Sequence, residues 1–404
     1  MTKDFLRDKN LQVIFAVTLM GVLGVSSVAP VLPYLDEVFR IKAKDASWVI
    51  AVFTLPGVFL MPLFGYWADR WGRKVVLIPA LLLFSAAGTA CAAAENFAWM
   101  LGLRFLQGVG AASLGTLNIT LIGDLYSGRD RIKAMGMNAA VLSTGTALYP
   151  ALGGFLAAWS WRYPFLLPML GVPVAMFAFW TLKEPPGRAS AAGGGQYLGN
   201  LFFALRQPRT LVFFWSMLTA FIIIYGVGLT LLPLFMKNAF SAGPGKIGIF
   251  LMTMSLGSIT AAWNLRRLAD RCGEQALVTG GFVLYVLICM IFPFLQHLSA
   301  LAAACAAIGF AHGVTIPTVM GMMTESASDQ TRALMMAVNG MFLRLGQTVG
   351  PVLVILLLAS GGFHAAFWTG AFLAVTCLVV LGKAGKENSK QEIRNPKQNP
   401  STPN

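Results

Sequence analysis

Apolar runs of roughly twenty residues, separated by short polar turns, recur along this chain almost from end to end. Folded as a helix rising about 1.5 Å per residue, each run spans the ~30 Å hydrocarbon core of a bilayer. Composition agrees: 57% of residues are hydrophobic and 11% charged, with mean hydropathy +0.70. Soluble domains carry about 25% charged residues. A soluble chain of 404 residues could not hide so much apolar surface, so lipid is the solvent for most of it. The runs fall near 11–35, 46–67, 75–94, 97–123, 132–158 and 161–182, then 210–236, 246–268, 276–296, 298–323, 333–358 and 363–382. The spans at 132–158 and 333–358 are long and contain proline, so tilts or kinks are expected. The first run outlasts the ~7–15 residue core of a signal peptide and is read as a retained span.

Lysine and arginine set the orientation. With the N-terminus in the cytoplasm, the outer loops hold only Arg40, Lys42, Lys44, Arg162, Lys237 and Lys246 of the 30 basic residues. Arg104 and Arg344 lie inside spans; the others fall on the cytoplasmic side. Both termini are therefore expected in the cytoplasm. The formal charge of +14 then faces anionic inner-leaflet lipid, and no nucleic-acid partner is needed to explain it. Residues 183–209, with their Pro and Gly, read as a cytoplasmic linker in which "YLGNLFFAL" is a candidate surface helix. The polar tail, 383–404, reads as disordered. Five cysteines without a C-x-x-C pair argue against a disulfide framework and a structural zinc site. All but the loop residue Cys272 read as small apolar residues in helices.

The second half echoes the first. An ungapped shift that sets Asp69 on Asp270 also sets Arg70 on Arg271, Gly72 on Gly273 and Gly108 on Gly309. It matches Asp124 with Glu325, Arg131 with Arg332, Asn138 with Asn339, Gly145 with Gly346 and Pro150 with Pro351. Apolar helices align by chance on Leu and Ala, but not on this set. The expected fold is an all-α membrane protein of twelve transmembrane helices in two pseudo-symmetric six-helix bundles, 1–182 and 210–382. Substrate would sit near the midplane between them.

Four stretches carry the remaining signal. "GYWADRWGRK", Gly65 to Lys74, sets a charged knot between two apolar spans. Gly65 is expected at a close helix approach and Gly72 in a tight turn, with Asp69 near basic residues. "RFLQGVGAA", Arg104 to Ala112, puts an arginine roughly 10 Å into a span, where it needs a partner, a wet cavity or an outward reach to headgroups. "GTALYPALGG", Gly145 to Gly154, combines close-packing glycines with Pro150. "LGVSSVAPVLP" runs from Leu23 to Pro33. Together these resemble motifs of the major facilitator superfamily, and within it the twelve-helix drug:proton antiporter family. The first matches G-x-L-A-D-R-x-G-R-K except at Trp67; the second matches R-x-x-Q-G-x-G-A-A at every named position. The third matches G-x-x-x-G-P-x-x-G-G except at Tyr149, where the second-half copy "GQTVGP" keeps the glycine.

The resemblance implies that Asp69, Arg70 and Asp124, with Gly65, Gly72 and Arg73, form a cytoplasmic gate. It gives Arg104 a part in proton coupling, and it makes Gly145, Pro150, Gly153, Gly154, Gly346 and Pro351 a helix-packing motif that favours export. It also implies that a proton gradient is the energy source, with no cofactor or metal. The protein is expected to be a monomer in a cell membrane of the bacterial inner-membrane type, its partners lipid and a small-molecule substrate. The rival readings are an importer or facilitator of an anionic or zwitterionic metabolite, and a lipid exporter. An intramembrane enzyme is disfavoured, because H-E-x-x-H and a mid-membrane Asp pair are both missing from the sequence.

Proton coupling needs a titratable group, yet no acid lies well inside any span. Asp36 and Glu95 lie at the outer ends, where either could line a vestibule with Arg104. His312 could titrate instead, or be a buried hydrogen-bonded histidine; or the substrate could carry the proton. Arg344 lies near the membrane centre and, with Arg104, makes the cavity positive. Tyr225, Asn138, Asn339, Gln107 and Gln347 are candidate wall residues, or else hydrogen-bonding residues between helices.

Overall fold

The computed structural model describes residues 7–183, 208–326 and 329–394. Among these residues it is helical with no strand, and eleven helices are long and apolar enough to cross a membrane. We number them α1 (Lys9–Phe39), α2 (Asp45–Trp71), α3 (Arg73–Ala93), α4 (Phe97–Leu125), α5 (Gly128–Trp159) and α6 (Tyr163–Thr181). After the linker come α7 (Thr210–Phe240), α8 (Pro244–Cys272), α9 (Glu274–Phe294) and α10 (Leu298–Ser326). The last helix, Asp329–Arg394, breaks at Gly362, with φ 70° and ψ −169°. Its 66 residues would stretch about 100 Å if straight, far beyond a bilayer core. We number its parts α11 (329–361) and α12 (363–394).

Among the departures from plain helix, those in α1, α7 and the last helix bear on the site and on the helix count. In α1, Pro30 and Pro33 cannot donate backbone hydrogen bonds, and Ala29–Tyr34 tightens into a 3-10 turn. In α7, Ile223–Leu231 widens into a π-helix carrying Tyr225. In α11–α12 the break falls at Gly362, while α5 stays helical through Pro150 and the last helix through Pro351, so the expected proline kinks are not breaks. The tail read as disordered from 383 continues as helix to Arg394. Residues 395–404, most of the linker and its candidate surface helix lie outside the described residues.

The repeat is visible in packing. Gly108 in α4 lies so close to α2 that a β-carbon there would come within 2.1 Å of the Phe53 carbonyl oxygen. Its counterpart, Gly309 in α10, packs in the same way on the Met254 carbonyl of α8. Phe53 and Met254 are themselves repeat equivalents. The turns at Gly72 (φ 100°) and Gly273 (φ 79°) also match, in a backbone region that favours glycine. Gly65 behaves differently: its nearest neighbour, Thr116 Cγ2, would be 4.0 Å from a β-carbon, so no close approach depends on it.

The two six-helix sets meet along α2–α11 and α5–α8. Gly153 packs α5 on α1 within the first set, against the Ser27 carbonyl, where a β-carbon would lie at 2.0 Å. Gly154, one residue on, packs across the seam on the Pro244 carbonyl, where the figure is 2.4 Å. Gly248 of α8 returns the contact onto the Pro150 carbonyl. Gly153→Ala should therefore lower the melting temperature of the purified protein, at a cost of about 1–3 kcal/mol for overpacking. Gly154→Ala should leave that temperature nearly unchanged and instead loosen the α5–α8 seam, read as faster labelling of a cysteine at Pro150. Equal melting losses in both variants would refute this division.

Candidate functional site

For brevity we call the end of the bundle that carries Asp8, Asp69, Asp124 and Lys183 the basic end, and the opposite one the far end. At the basic end, Asp8 accepts from the Asn10 amide (2.9 Å) and from Tyr126 Oη (2.7 Å). Asn10 Oδ1 accepts from the Lys183 amide at 3.0 Å. These contacts gather α1, the α4–α5 turn and the end of α6. Arg73 lies between two carboxylates, 2.5 Å from Asp69 and 3.0 Å from Asp124. Arg70 donates to Tyr66 Oη at 3.2 Å. The charged knot thus ties α2, α3 and α4 to one another within the first set, and Arg73 is its hub. In the second copy the hub is replaced by Glu274, and Asp270 makes no ion pair among the described residues.

At the far end the sets are joined. Lys237 of α7 donates to the Pro33 carbonyl (2.5 Å) and pairs with Asp36 (3.1 Å) and Glu37 (2.7 Å) of α1. Its ammonium lies 4.8 Å from the Tyr34 ring centroid, and Tyr34 Oη donates to the Ala242 carbonyl. Nearer the middle, Ser255 donates to the Thr146 carbonyl (2.8 Å), and the Thr54 and Thr348 hydroxyls meet at 2.9 Å. Asp36 therefore faces Lys237 rather than Arg104. Glu95 is exposed in the turn before α4.

Arg104 is sealed inside the first set, with 0% exposure. Its guanidinium donates to the Gly24 carbonyl (2.9 Å), the Val49 carbonyl (3.0 Å) and Gln107 Oε1 (2.7 Å). It stacks 4.4 Å from the Phe53 centroid. Gly24 makes this possible, because a β-carbon there would strike the Phe53 ring at 2.6 Å. The outward reach to headgroups is ruled out by this geometry: three backbone or amide acceptors and an aromatic face hold the charge inward. Asn138 is likewise committed locally, accepting from Thr18 Oγ1 at 2.5 Å, with Asn118 beside it at 3.4 Å. Its repeat equivalent, Asn339, is buried with Oδ1 unpartnered among the described residues.

The second set presents a different surface at mid-depth. Arg344 of α11 is partly exposed and donates from Nη1 to Gln347 Oε1 (3.0 Å), while its buried Nε finds no acceptor among the described residues. Its stem crosses the seam: a β-carbon on Gly57 of α2 would lie 2.9 Å from Arg344 Cδ. Tyr225, carried by the π-helix, is its electrostatic neighbour. Phe221 lies 6.1 Å from Tyr225 and 5.3 Å from the His312 ring. His312 Nδ1 meets Tyr285 Oη at 3.0 Å. Tyr225 and His312 are partly exposed, as Arg344 is. The structure thus brings Arg344, Gln347, Tyr225 and His312 together and leaves Arg104, Gln107 and Asn138 in the other wall. Phe221, Tyr285, Gly57 and Lys237 were not legible as site residues. Lys237 alone had a sequence signal, as one of few basic residues outside the basic end.

No group of three or more His, Cys, Asp or Glu side chains that could hold a metal occurs among the described residues.

The family model described as Major Facilitator Superfamily matches residues 14–238 and 223–403. The "Bacillibactin exporter" of Bacillus subtilis (strain 168) is 25% identical over 95% of this chain and 98% of its own length. "Multidrug resistance protein 2" of the same organism is 24% identical over 87% and 90%. Among solved structures, a variant of the nucleoside transporter NupG aligns with a TM-score of 0.78 at 14% identity, covering 93% of this chain and 99% of the other. That last likeness shows the fold alone. With a family match along nearly the whole chain, and relatives aligned from end to end on a helical membrane fold, this protein belongs to the Major Facilitator Superfamily: it is a multi-pass membrane transporter and not an enzyme.

Proposed function

We propose that the protein exports small organic molecules in exchange for protons by alternating access, with both termini in the cytoplasm. The observation that carries this is the closed far end. Lys237 with its acids, Tyr34 on Ala242 and the Gly154–Gly248 contact join the two sets there, while the polar surface around Arg344 keeps partial exposure at mid-depth. Positive charge at the basic end supports assigning that end to the cytoplasm; on this reading the far end faces outward and the site loads from inside. The names of the relatives, an exporter and drug-resistance proteins, support efflux. Tyr149 departs from the motif associated with export, but Gly153 and Gly154 still make its close contacts.

Opening to the outside must break the Lys237 cluster. Cysteines at Asp36 and Lys237, oxidised to a disulfide, should stop substrate movement in proteoliposomes, and reduction should restore it. Undiminished flux through the oxidised protein would rule out this gate.

The proton carrier in this reading is His312. The described carboxylates lie at helix ends, and Arg104 is walled off from the seam; among the described residues His312 is then the mid-depth side chain whose residue type ordinarily titrates near neutral pH. His312→Gln should abolish transport driven by a pH gradient while sparing substrate exchange at equal pH. Gradient-driven transport at the wild-type rate in this variant would eliminate the carrier role.

Arg73 serves as hub of the cytoplasmic knot. Surface ion pairs contribute about 0–1 kcal/mol each, so Arg73→Gln should change melting temperature little. Transport should nonetheless fall several-fold, because α2 and α4 lose the tie that moves them together. Normal flux in Arg73→Gln would show the knot to be a topology anchor only.

A further inference from the structure

We propose that the mid-depth site recognises organic anions, specifically a carboxylate carried on a planar apolar body, with Arg344 as the residue that binds it. This rests on the transport reading above and names its substrate class. The first observation is an unused hydrogen-bonding edge. Among the described residues, Arg344 spends Nη1 on Gln347, while Nε is buried with no acceptor and no hydrogen bond engages Nη2. Nε and Nη2 form the side of the guanidinium that takes a carboxylate with two parallel hydrogen bonds. The second observation is where this edge lies. A β-carbon on Gly57 would lie 3.1 Å from Nε, and one on Gly115 would lie 3.9 Å from Nη2. Backbone of two first-set helices therefore covers that edge with no side chain on it, so the edge becomes free to a ligand as the sets part along the seam where the charge sits.

The third observation is the missing counter-charge. The ion pairs among the described residues lie at the two ends of the bundle, and none reaches Arg344. An unpaired guanidinium at this depth is costly, and an anionic ligand would relieve that cost while a cation would add to it. Arg104 does not compete, since its hydrogen bonds and its Phe53 face are already filled. The fourth observation is the surrounding wall. Tyr225 is the electrostatic neighbour of Arg344, and its ring is linked through Phe221 to that of His312, a run of rings suited to a flat apolar body.

The test is binding to purified protein in detergent free of anionic lipid, read as thermal stabilisation. The probes are 1-naphthoate, 1-naphthyl phosphate and, as the cation of like shape, 1-naphthylmethylammonium. The wild type should be stabilised by naphthoate and not by the ammonium. Arg344→Lys, which keeps the charge but loses the fork, should weaken naphthoate roughly 10- to 100-fold. Arg344→Gln should lose the effect. If Arg344→Gln fails to fold, Gly57→Ala serves in its place: it displaces the arginine stem and should weaken naphthoate without altering the unliganded melting temperature. Stabilisation by phosphate but not carboxylate would point to a phosphate ester or lipid headgroup and overturn the carboxylate assignment. Stabilisation by the ammonium alone, equal naphthoate binding in every variant, or no response to either anion would overturn the proposal outright. Naphthoate that binds through Arg344 but is not expelled by a proton gradient would instead refute the export reading and leave this inference standing.

Discussion

Close contact between helix backbones is the constraint on which this bundle depends. In lipid, burying apolar surface does not draw helices together, since the tails are as apolar as leucine; packing must do so. Glycine lets one helix rest directly on the carbonyls of another. Gly108 on α2 and Gly309 on α8 set equivalent crossings in the two sets, and Gly153 seats α5 on α1. The nesting of α1, α2 and α4 brings the Gly24 and Val49 carbonyls to within 3.0 Å of Arg104. Without that depth of packing a fully buried charge at this position would keep only Gln107, on its own helix, as an acceptor.

Two arginines at mid-depth illustrate how much follows from partners. Arg104 is surrounded by acceptors and an aromatic face, so it behaves as a structural cross-tie between three helices. Arg344 has a single side-chain acceptor and a buried nitrogen left bare among the described residues. A bare donor in a low-dielectric seam is unfavourable until something pairs with it. Residue type is the same in both; what differs is how far the surrounding groups satisfy the charge. Both sets keep buried polar atoms without partners among the described residues, such as Gln107 Nε2 and Asn118 Oδ1 in the first and Asn339 Oδ1 and Arg344 Nε in the second.

The same contrast runs along the seam. Gly153 and Gly154 are adjacent, yet one packs inside a set and the other across to α8. The same helix is thus held both within its own set and across the seam. The far-end cluster has a similar character. Lys237 joins carboxylates that retain some solvent exposure, and such pairs are easily exchanged for water. By contrast, Arg73 keeps both its carboxylates within one set.

Much of this was legible in the residues. Apolar run length determined that the chain spans a membrane as helices, because the hydrocarbon core has a fixed thickness. The spacing of Gly72 and Gly273, and of Gly108 and Gly309, determined the internal repeat, because turns and close crossings tolerate little else. The motifs located Arg104 and Asp69, and the repeat located Asp124, but not their partners: that Arg73 would be the hub, and that Arg104 would be sealed, follow from how α1, α2, α3 and α4 converge. The hydrogen-bond donors of an arginine are fixed by its chemistry, whereas its acceptors come from segments distant in sequence. Only the tertiary structure could therefore decide which of the two arginines is spent and which is open, and only it could bring Tyr34 and Lys237 together across the far end of the seam.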